Sequence, residues 1–217
     1  DGTKRPEDDD LEYNYPEIEA RPHTLTYMVP APPRCCYKFK VGRMYVVSSK
    51  KIITDGDTKI KILCMLGACW PMTFVTMAII GGLSIFVLSG FLPKLGLVWT
   101  LGAFVLLGSN LAALALTGTT DPGIVRRKNG DLELQDVKAR RWSASGQTWV
   151  RKGESFCEES QVVVEDMDHF CPWTGTVIAG GNMIYFQVFI ASLCTLLGFV
   201  ALTCFVAVSN ETRRPYH

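Results

Sequence analysis

The sequence has almost no excess charge and very little histidine. Its 217 residues carry a formal net charge of +1 and 3 histidines, which are His23, His169 and His217. A nearly neutral chain argues against a nucleic-acid partner, which would favour a strongly basic surface. So few histidines also restrict metal binding, because tetrahedral zinc sites are built from clustered Cys and His. No internal repeat is present, which excludes repeat architectures.

Charged residues are also missing from three long stretches. Residues 63–92, 95–117 and 183–209 contain no Asp, Glu, Lys or Arg. Each stretch exceeds the roughly 20 residues that a helix needs to cross a hydrocarbon core of about 30 Å. Single segments cross such a core only as helices, since lipid cannot satisfy backbone polar groups. We therefore predict an all-α integral membrane protein with three transmembrane helices, at 62–92, 95–117 and 183–209.

The other residues form the segments between and around these helices. Residues 1–61 are predicted to form a cytosolic N-terminal arm, which is acidic and then proline-rich up to about residue 34. Within that arm, the β-rich run Met-Tyr-Val-Val at 44–47 favours a small hairpin or a segment on the membrane surface. A short turn at 89–93 would join the first two helices into an antiparallel pair. Residues 118–182 are expected to form a mostly irregular loop, and 210–217 a tail. Because the first residue is Asp instead of Met, we expect a truncated or processed chain.

Basic residues predict the orientation in the membrane. Lys and Arg are frequent before the first uncharged stretch and in the loop 118–182, whereas the turn between the first two helices has only Lys94. The positive-inside rule places both basic regions in the cytosol. That reducing compartment disfavours disulfides among the loop cysteines. Cys35 and Cys36, near basic residues and the membrane, are candidates for S-acylation.

One short run of the loop carries candidate chemistry. Residues 168–173 are Asp-His-Phe-Cys-Pro-Trp and lie shortly before the third helix. A thiol beside a His–Asp pair is a common way to build a nucleophile that is partly thiolate at neutral pH. We interpret Cys171 as a candidate catalytic nucleophile, His169 as its base and Asp168 as the group that orients the imidazole.

These features resemble the DHHC family of protein S-acyltransferases, or palmitoyltransferases. The resemblance covers about residues 62–208 and depends on the helices, an Asp-Pro-Gly turn after the second one, the Asp-His-x-Cys-Pro-Trp run and an aromatic-rich third helix. It implies transfer of a fatty acyl group such as palmitoyl from acyl-CoA to protein cysteines through a Cys171 acyl-enzyme. The implied partners are the lipid bilayer, fatty acyl-CoA and protein substrates with membrane-proximal cysteines. The implied location is the Golgi, the endoplasmic reticulum or the plasma membrane.

The resemblance also implies roles for residues around the run. Its structural motifs would consist of Asp121, Pro122, Gly123, Pro172 and Asn182. Three aromatic side chains would bind the acyl chain near the thioester, and these are Trp173, Phe186 and Phe189. As an alternative, each of the three is an ordinary aromatic residue of the membrane interface.

The sequence departs from the family where the family binds zinc. Members hold this loop around two zinc ions with Cys and His, and here Cys157 is the one such residue that remains. The other expected ligand positions hold Ser143, Gly146, Phe156, Ser160 and Val163, and the second His of the signature is Phe170. A tetrahedral site needs four clustered ligands, so we predict no bound metal and no bound cofactor. We expect a hydrophobic cluster in place of the metal, formed by Phe156, Val162, Val163, Val164 and Phe170. We also expect the chain to stop before the family's fourth transmembrane helix.

Two other interpretations stay open. One is a catalytically inactive pseudoenzyme of the same family that acts as a membrane scaffold or binds partners, which the missing zinc ligands favour. The other is a small transporter or channel subunit, although no charged residue within the three stretches marks an ion path.

Overall fold

The computed structural model describes residues 36–54, 57–125, 140–146 and 148–212. The helices of this part of the chain are α1 (Trp70–Leu95), α2 (Leu97–Thr119) and α3 (Met183–Thr212), with a 3₁₀ turn at Pro172–Thr174. The strands before α1 are β1 (Phe39–Val41), β2 (Met44–Thr54) and β3 (Asp57–Leu66). The strands between α2 and α3 are β4 (Arg141–Ser143), β5 (Thr148–Val150), β6 (Glu154–Cys157), β7 (Val162–Glu165), β8 (His169–Cys171) and β9 (Thr176–Ile178).

The three helices correspond to the three uncharged stretches. Each is long and apolar enough to cross a membrane, so the predicted number of spans is confirmed for the described residues. The bounds of α2 and α3 lie within one helical turn of the predicted ones. Large apolar side chains point out of the bundle, such as Phe86 at 78% exposure and Val98 at 82%. Apolar surface of this extent suits contact with lipid better than contact with water.

The first helix begins later than the sequence predicts. Residues 62–69 are not helical, because β3 continues to Leu66 and α1 starts at Trp70. Within β3, Leu63 is 53% exposed whereas Met65 is fully buried. The apolar run passes through both elements without interruption, and hydropathy alone does not distinguish a buried strand from a helix.

The connection between α1 and α2 also differs from the prediction. The turn expected at 89–93 is part of α1, and Gly96 alone separates the two helices. Proline and glycine are tolerated inside membrane helices when neighbouring groups satisfy the backbone. Leu88 and Leu92 of α1 pack against Ala103 of α2, so the two helices are neighbours in an antiparallel pair as predicted.

The segments outside the helices contain sheets, so the all-α expectation is not confirmed. β1, β2 and β3 form one antiparallel sheet, which begins inside the predicted N-terminal arm and ends inside the predicted first helix. The loop between α2 and α3 contains three antiparallel hairpins, β4–β5, β6–β7 and β8–β9, and is more regular than predicted. Strands of three or four residues are too short to show a clear alternating pattern in the sequence.

The N-terminal sheet and the hairpins β6–β7 and β8–β9 share one apolar core. Its buried members are Met44, Met65, Cys157, Val162, Val164, Val177 and Ala179. The Arg43 N–H donates to the Ser160 carbonyl at 2.8 Å and links the sheet to the turn after β6. This β region lies at the end of the bundle where α1 begins, α2 ends and α3 begins, because β3, β9 and the 3₁₀ turn all contact the helices there.

Candidate active site

The candidate nucleophile lies in the hairpin β8–β9. Antiparallel pairing places Cys171 opposite Thr176. One residue earlier, Phe170 lies opposite Val177. Successive side chains of a strand point to opposite faces, and directly paired residues share a face. His169, Cys171 and Thr176 therefore lie on one face of the hairpin, and Phe170 lies on the other.

This alternation explains how the chain accommodates Phe170. Its ring packs against the apolar core that contains Val177 and Cys157, on the face opposite His169 and Cys171. The replacement of the second histidine of the signature by phenylalanine therefore changes the core and leaves the candidate reacting face unchanged.

Asp168 and His169 form the predicted pair. His169 Nδ1 lies 3.1 Å from Asp168 Oδ2, and the side chains are 43% and 54% exposed for His169 and Asp168, respectively. A carboxylate at Nδ1 favours the tautomer that carries its proton there, which leaves Nε2 able to accept a proton. The imidazole also meets the Phe186 ring edge-to-face, with 5.3 Å between centroids. Both contacts restrict the orientation of the candidate base.

Cys171 is enclosed, with 7% of its surface exposed. The Thr174 hydroxyl donates to the Cys171 carbonyl at 3.2 Å, and Pro172 begins the 3₁₀ turn. The Thr176 hydroxyl opposite Cys171 is buried and has no hydrogen-bond partner within the described part of the chain. The sequence did not reveal Thr176, because its proximity to Cys171 depends on the register of β8 and β9.

The three aromatic residues predicted to bind an acyl chain have different surroundings. Phe189 is 4% exposed and lies in a cluster between α2 and α3, and Phe186 packs against that cluster. Phe186 thus connects His169 to the helix bundle. Trp173, in contrast, is 58% exposed. Acyl-chain binding by these residues stays a prediction.

The Asp-Pro-Gly motif forms a turn directly after α2. Asp121 Oδ1 accepts the N–H groups of Gly123 at 2.9 Å and of Ile124 at 3.0 Å. The Gly181 N–H donates to the Pro122 carbonyl at 3.0 Å. The motif therefore joins the end of α2 to the residues that precede α3.

Asn182 is a fully buried amide with partners in three segments. Its Oδ1 accepts the Ala179 N–H at 2.9 Å. Its Nδ2 donates to the carbonyls of Val177 at 2.9 Å and Thr117 at 3.3 Å. The side chain therefore fixes β9 relative to the end of α2 and the start of α3.

The two cysteines predicted to be S-acylated lie before β1. Cys36 is exposed, and Cys35 lies outside the described residues. S-acylation stays a prediction for both.

Four of the expected zinc-ligand positions lie close together in the structure, and these are Ser143, Gly146, Phe156 and Val163. A Cβ on Gly146 would lie 2.6 Å from Val163 Cγ2, 3.1 Å from Ser143 Oγ and 3.6 Å from Phe156 Cδ2. The Ser143 hydroxyl accepts the Gly146 N–H at 3.1 Å. Two hydrocarbon side chains, a glycine and one hydroxyl do not fit a zinc ion, which needs nitrogen, sulfur or carboxylate ligands.

The positions around Cys157 do not fit zinc either. Cys157 is fully buried, and burial raises the pKa of its thiol, which favours the neutral thiol over a metal-binding thiolate. The core that contains it also includes Phe170 and Val177. Within the described ranges, no group of three or more His, Cys, Asp or Glu residues could hold a metal.

Apolar side chains occupy some of these positions instead. Val162, Val164 and Phe170 belong to one core, whereas the other two members of the predicted cluster lie on the opposite face of β6–β7. Phe156 and Val163 are paired across β6–β7. Contacts between hydrocarbon side chains therefore hold the hairpins together.

We expect removal of metal to leave the fold unchanged. Purified protein should contain far less than one zinc per chain, and a chelator should not lower the midpoint of thermal unfolding. Domains that depend on structural zinc unfold when it is removed, whereas here apolar packing closes the core. Metal analysis by mass spectrometry and melting with and without chelator provide the check. Near-stoichiometric zinc, or a midpoint that falls with chelator, would contradict this expectation.

Comparison with known proteins agrees with the resemblance seen in the sequence. Residues 137–216 match the model of the DHHC palmitoyltransferase family. Relatives include Palmitoyltransferase ZDHHC8 of Mus musculus, Canis lupus familiaris and Homo sapiens, each 29% identical over 107 residues. The match covers 42% of this chain and 14% of each relative, so it spans a small part of their length. The resemblance is confirmed over residues 137–216, and the match together with three apolar helices indicates an integral membrane protein.

Proposed function

We propose that this chain, which matches the DHHC palmitoyltransferase family over residues 137–216, is a protein S-acyltransferase with Cys171 as its nucleophile. The observation that supports this most is the shared face of the hairpin β8–β9. His169 and Cys171 lie on that face, and Asp168 Oδ2 lies 3.1 Å from the imidazole. A nucleophile, a base and an acid that orients the base are the parts that activate a thiol for acyl transfer.

The first half-reaction loads the enzyme. His169 accepts the proton of Cys171, and the thiolate attacks the thioester carbonyl of acyl-CoA. The bond between the carbonyl carbon and the CoA sulfur breaks, and the departing thiolate takes the proton from His169. Asp168 keeps the imidazole oriented and stabilises the imidazolium. The products are an acyl thioester on Cys171 and free CoA.

The second half-reaction transfers the acyl group to the protein substrate. A substrate cysteine gives its proton to His169 and attacks the thioester on Cys171. Cys171 leaves as a thiolate and recovers the proton from His169. The two steps exchange one thioester for another, so they need no oxidant, reductant or metal-bound intermediate.

The fatty chain would lie against the membrane helices. Phe186 contacts the His169 ring and packs on the cluster that contains Phe189, so an apolar path leads from the candidate base into the bundle. Removing each CH₂ of the chain from water contributes about 0.8 kcal/mol. Trp173, exposed near the start of that path, would contact the chain or the lipid interface.

We also propose that the site faces the cytosol. The β region carries exposed basic residues near the open end of β4–β5, such as Arg141 and Lys152, as the positive-inside rule requires for a cytosolic segment. The substrates would then be cytosolic cysteines close to an endomembrane, in the Golgi or endoplasmic reticulum, or to the plasma membrane.

Formation of an acyl-enzyme tests the proposal. Membranes that contain the full-length gene product are incubated with clickable palmitoyl-CoA, and wild type is compared with Cys171→Ser and Cys194→Ser. Cys194 is an exposed thiol of α3, so its substitution is a matched control away from the site. We expect a hydroxylamine-labile label on wild type and Cys194→Ser and none on Cys171→Ser. A label that persists in Cys171→Ser would contradict the proposal.

A catalytically inactive membrane scaffold of the same family is the second candidate. Four expected ligand positions favour this scaffold, because their residues do not fit the zinc that the family uses. They are Ser143, Gly146, Phe156 and Val163. Folded wild-type protein that acquires no label would support the scaffold. A label on Cys171 would exclude it.

A further inference from the structure

Hydrogen bonds join the start of α1 to the turn that follows Cys171. The Thr73 hydroxyl donates to the Thr174 carbonyl at 2.8 Å. The Thr76 hydroxyl lies 2.8 Å from the Trp173 carbonyl. Both threonines are buried, with 8% and 7% of their surface exposed, respectively. These contacts connect residues about one hundred positions apart in the chain.

The partner of Thr73 is unusual for a threonine in a helix. Such a hydroxyl commonly bonds to the carbonyl four residues earlier in its own helix, as Thr195 does with Ala191 at 2.9 Å. Thr73 instead bonds to the 3₁₀ turn. The Thr76 hydroxyl has an acceptor in the turn and another in its own helix, since it also lies 2.9 Å from the Met72 carbonyl. It has one proton, so it donates to one of these two carbonyls at a time.

The turn lies directly against the helix ends, with no space between them. The Cys69 N–H donates to the Gly175 carbonyl at 2.9 Å. A Cβ on Gly175 would lie 2.6 Å from the Cys69 carbonyl oxygen and 2.7 Å from Thr73 Oγ1. On the other side, a Cβ on Gly118 of α2 would lie 3.0 Å from the Thr174 carbonyl oxygen. Glycine at these positions allows a contact that larger residues would prevent.

We propose that Thr73 and Thr76 are positioning residues that hold the 3₁₀ turn, and through it Cys171, at a fixed place relative to the membrane helices. The turn is joined directly to Cys171. Its first residue, Pro172, follows Cys171 in the chain, and the Thr174 hydroxyl donates to the Cys171 carbonyl. This inference rests on the proposed acyltransferase function. An acyl chain held by the helices meets the nucleophile in one geometry, and a misplacement of about 1 Å can slow a reaction about 100-fold.

The test uses the double variant Thr73→Val/Thr76→Val in the full-length protein. Valine keeps the shape of threonine and removes the hydroxyl. The double variant Thr73→Ser/Thr76→Ser keeps both hydroxyls and is the conservative rescue. Thr195→Val is the matched control, because it removes a helix hydroxyl that bonds only to its own helix among the described contacts.

Three quantities are measured for each protein. They are the rate of Cys171 acylation at saturating palmitoyl-CoA, the concentration that gives half of that rate, and the rate of Cys171 alkylation by iodoacetamide. For the valine pair we expect acylation about 10-fold slower or more, half-saturation within about 2-fold of wild type, and alkylation several-fold faster as the enclosed thiol is released. The serine pair and Thr195→Val should match wild type within about 2-fold, since both retain the contacts with the turn.

Acylation and alkylation at wild-type rates in the valine pair would overturn the proposal. A valine pair that differs from wild type only in half-saturation would overturn it too, because it would assign the threonines to substrate binding. If the valine pair does not fold, Thr76→Val is the deciding variant, because it retains the hydrogen bond of Thr73. It should also slow acylation and speed alkylation, each by a smaller factor than the valine pair. If wild type forms no acyl-enzyme, the acyltransferase proposal fails, and alkylation alone still decides whether the threonines hold Cys171.

Discussion

Replacing His169 with alanine should slow acylation of Cys171 by about 100- to 10 000-fold at neutral pH, the range that a positioned base contributes. His169 is the one histidine in the described residues. It shares a face of β8–β9 with Cys171, and its Nδ1 lies 3.1 Å from Asp168 Oδ2. Without it, the thiol loses the one histidine that the described part of the chain places on its face of β8–β9. The rate is measured in a single turnover with palmitoyl-CoA.

The control for this substitution is Glu158→Ala, at an exposed carboxylate in the turn after β6. It should acylate at the wild-type rate. Because the His169 side chain is 43% exposed, added imidazole should reach the vacated position and restore part of the rate of His169→Ala. A variant that acylates at the wild-type rate would show that His169 is not the base. A slow variant that imidazole does not rescue would indicate a structural role.

Replacing Asn182 with alanine should destabilise the protein by about 2–4 kcal/mol. A neutral hydrogen bond contributes about 1 kcal/mol net, and a buried polar group left without a partner costs about 1–3 kcal/mol. Asn182 is fully buried and bonds to Ala179, Val177 and Thr117. For a chain of this size, the expected loss corresponds to a melting midpoint lower by about 5–15 °C.

The matched control for Asn182→Ala is Asn210→Ala, at an exposed amide near the end of α3. Its midpoint should equal that of wild type. Asn182→Asp keeps the acceptor for the Ala179 N–H but places a buried carboxylate against the Val177 and Thr117 carbonyls, so its midpoint at neutral pH should be no higher than that of Asn182→Ala. The measurement is thermal unfolding of the purified protein in detergent. A midpoint of Asn182→Ala within about one degree of wild type would show that the buried amide does not hold β9 to the helices.

The sequence predicts those parts of the fold that a local pattern determines. Three stretches without charge predict three helices, because a bilayer excludes charged side chains over the length of a span. The Asp168–His169 contact is likewise local, since the two residues are adjacent. The Asp-Pro-Gly composition predicts the turn after α2, and Asp121 Oδ1 forms it by accepting two N–H groups.

Other features depend on contacts that leave no local pattern. The change from β3 to α1 between Leu66 and Trp70 occurs inside one apolar run, so hydropathy does not locate it. The hairpins of the loop consist of strands of three or four residues. Their pairing places Thr176 beside Cys171, and that register is set by the whole β region.

The contacts of Thr73 and Thr76 also could not be predicted from a local pattern in the sequence. Their carbonyl partners are 101 and 97 positions away in the chain. A threonine near the start of a membrane helix normally bonds within the helix, so its residue type carries no sign of such a partner. The glycines at 118 and 175 become informative only when the turn and the helix ends are seen together.

The most direct test of the central claim is to locate the acyl group after one turnover. The full-length protein is incubated with palmitoyl-CoA and digested, and its peptides are analysed by mass spectrometry with and without hydroxylamine. If Cys171 is the nucleophile, the hydroxylamine-labile acyl group lies on the peptide that contains Cys171, and it is absent from that peptide in His169→Ala at the same time point. An acyl group that is found on Cys35, Cys36 or another cysteine while Cys171 stays unmodified would contradict the account.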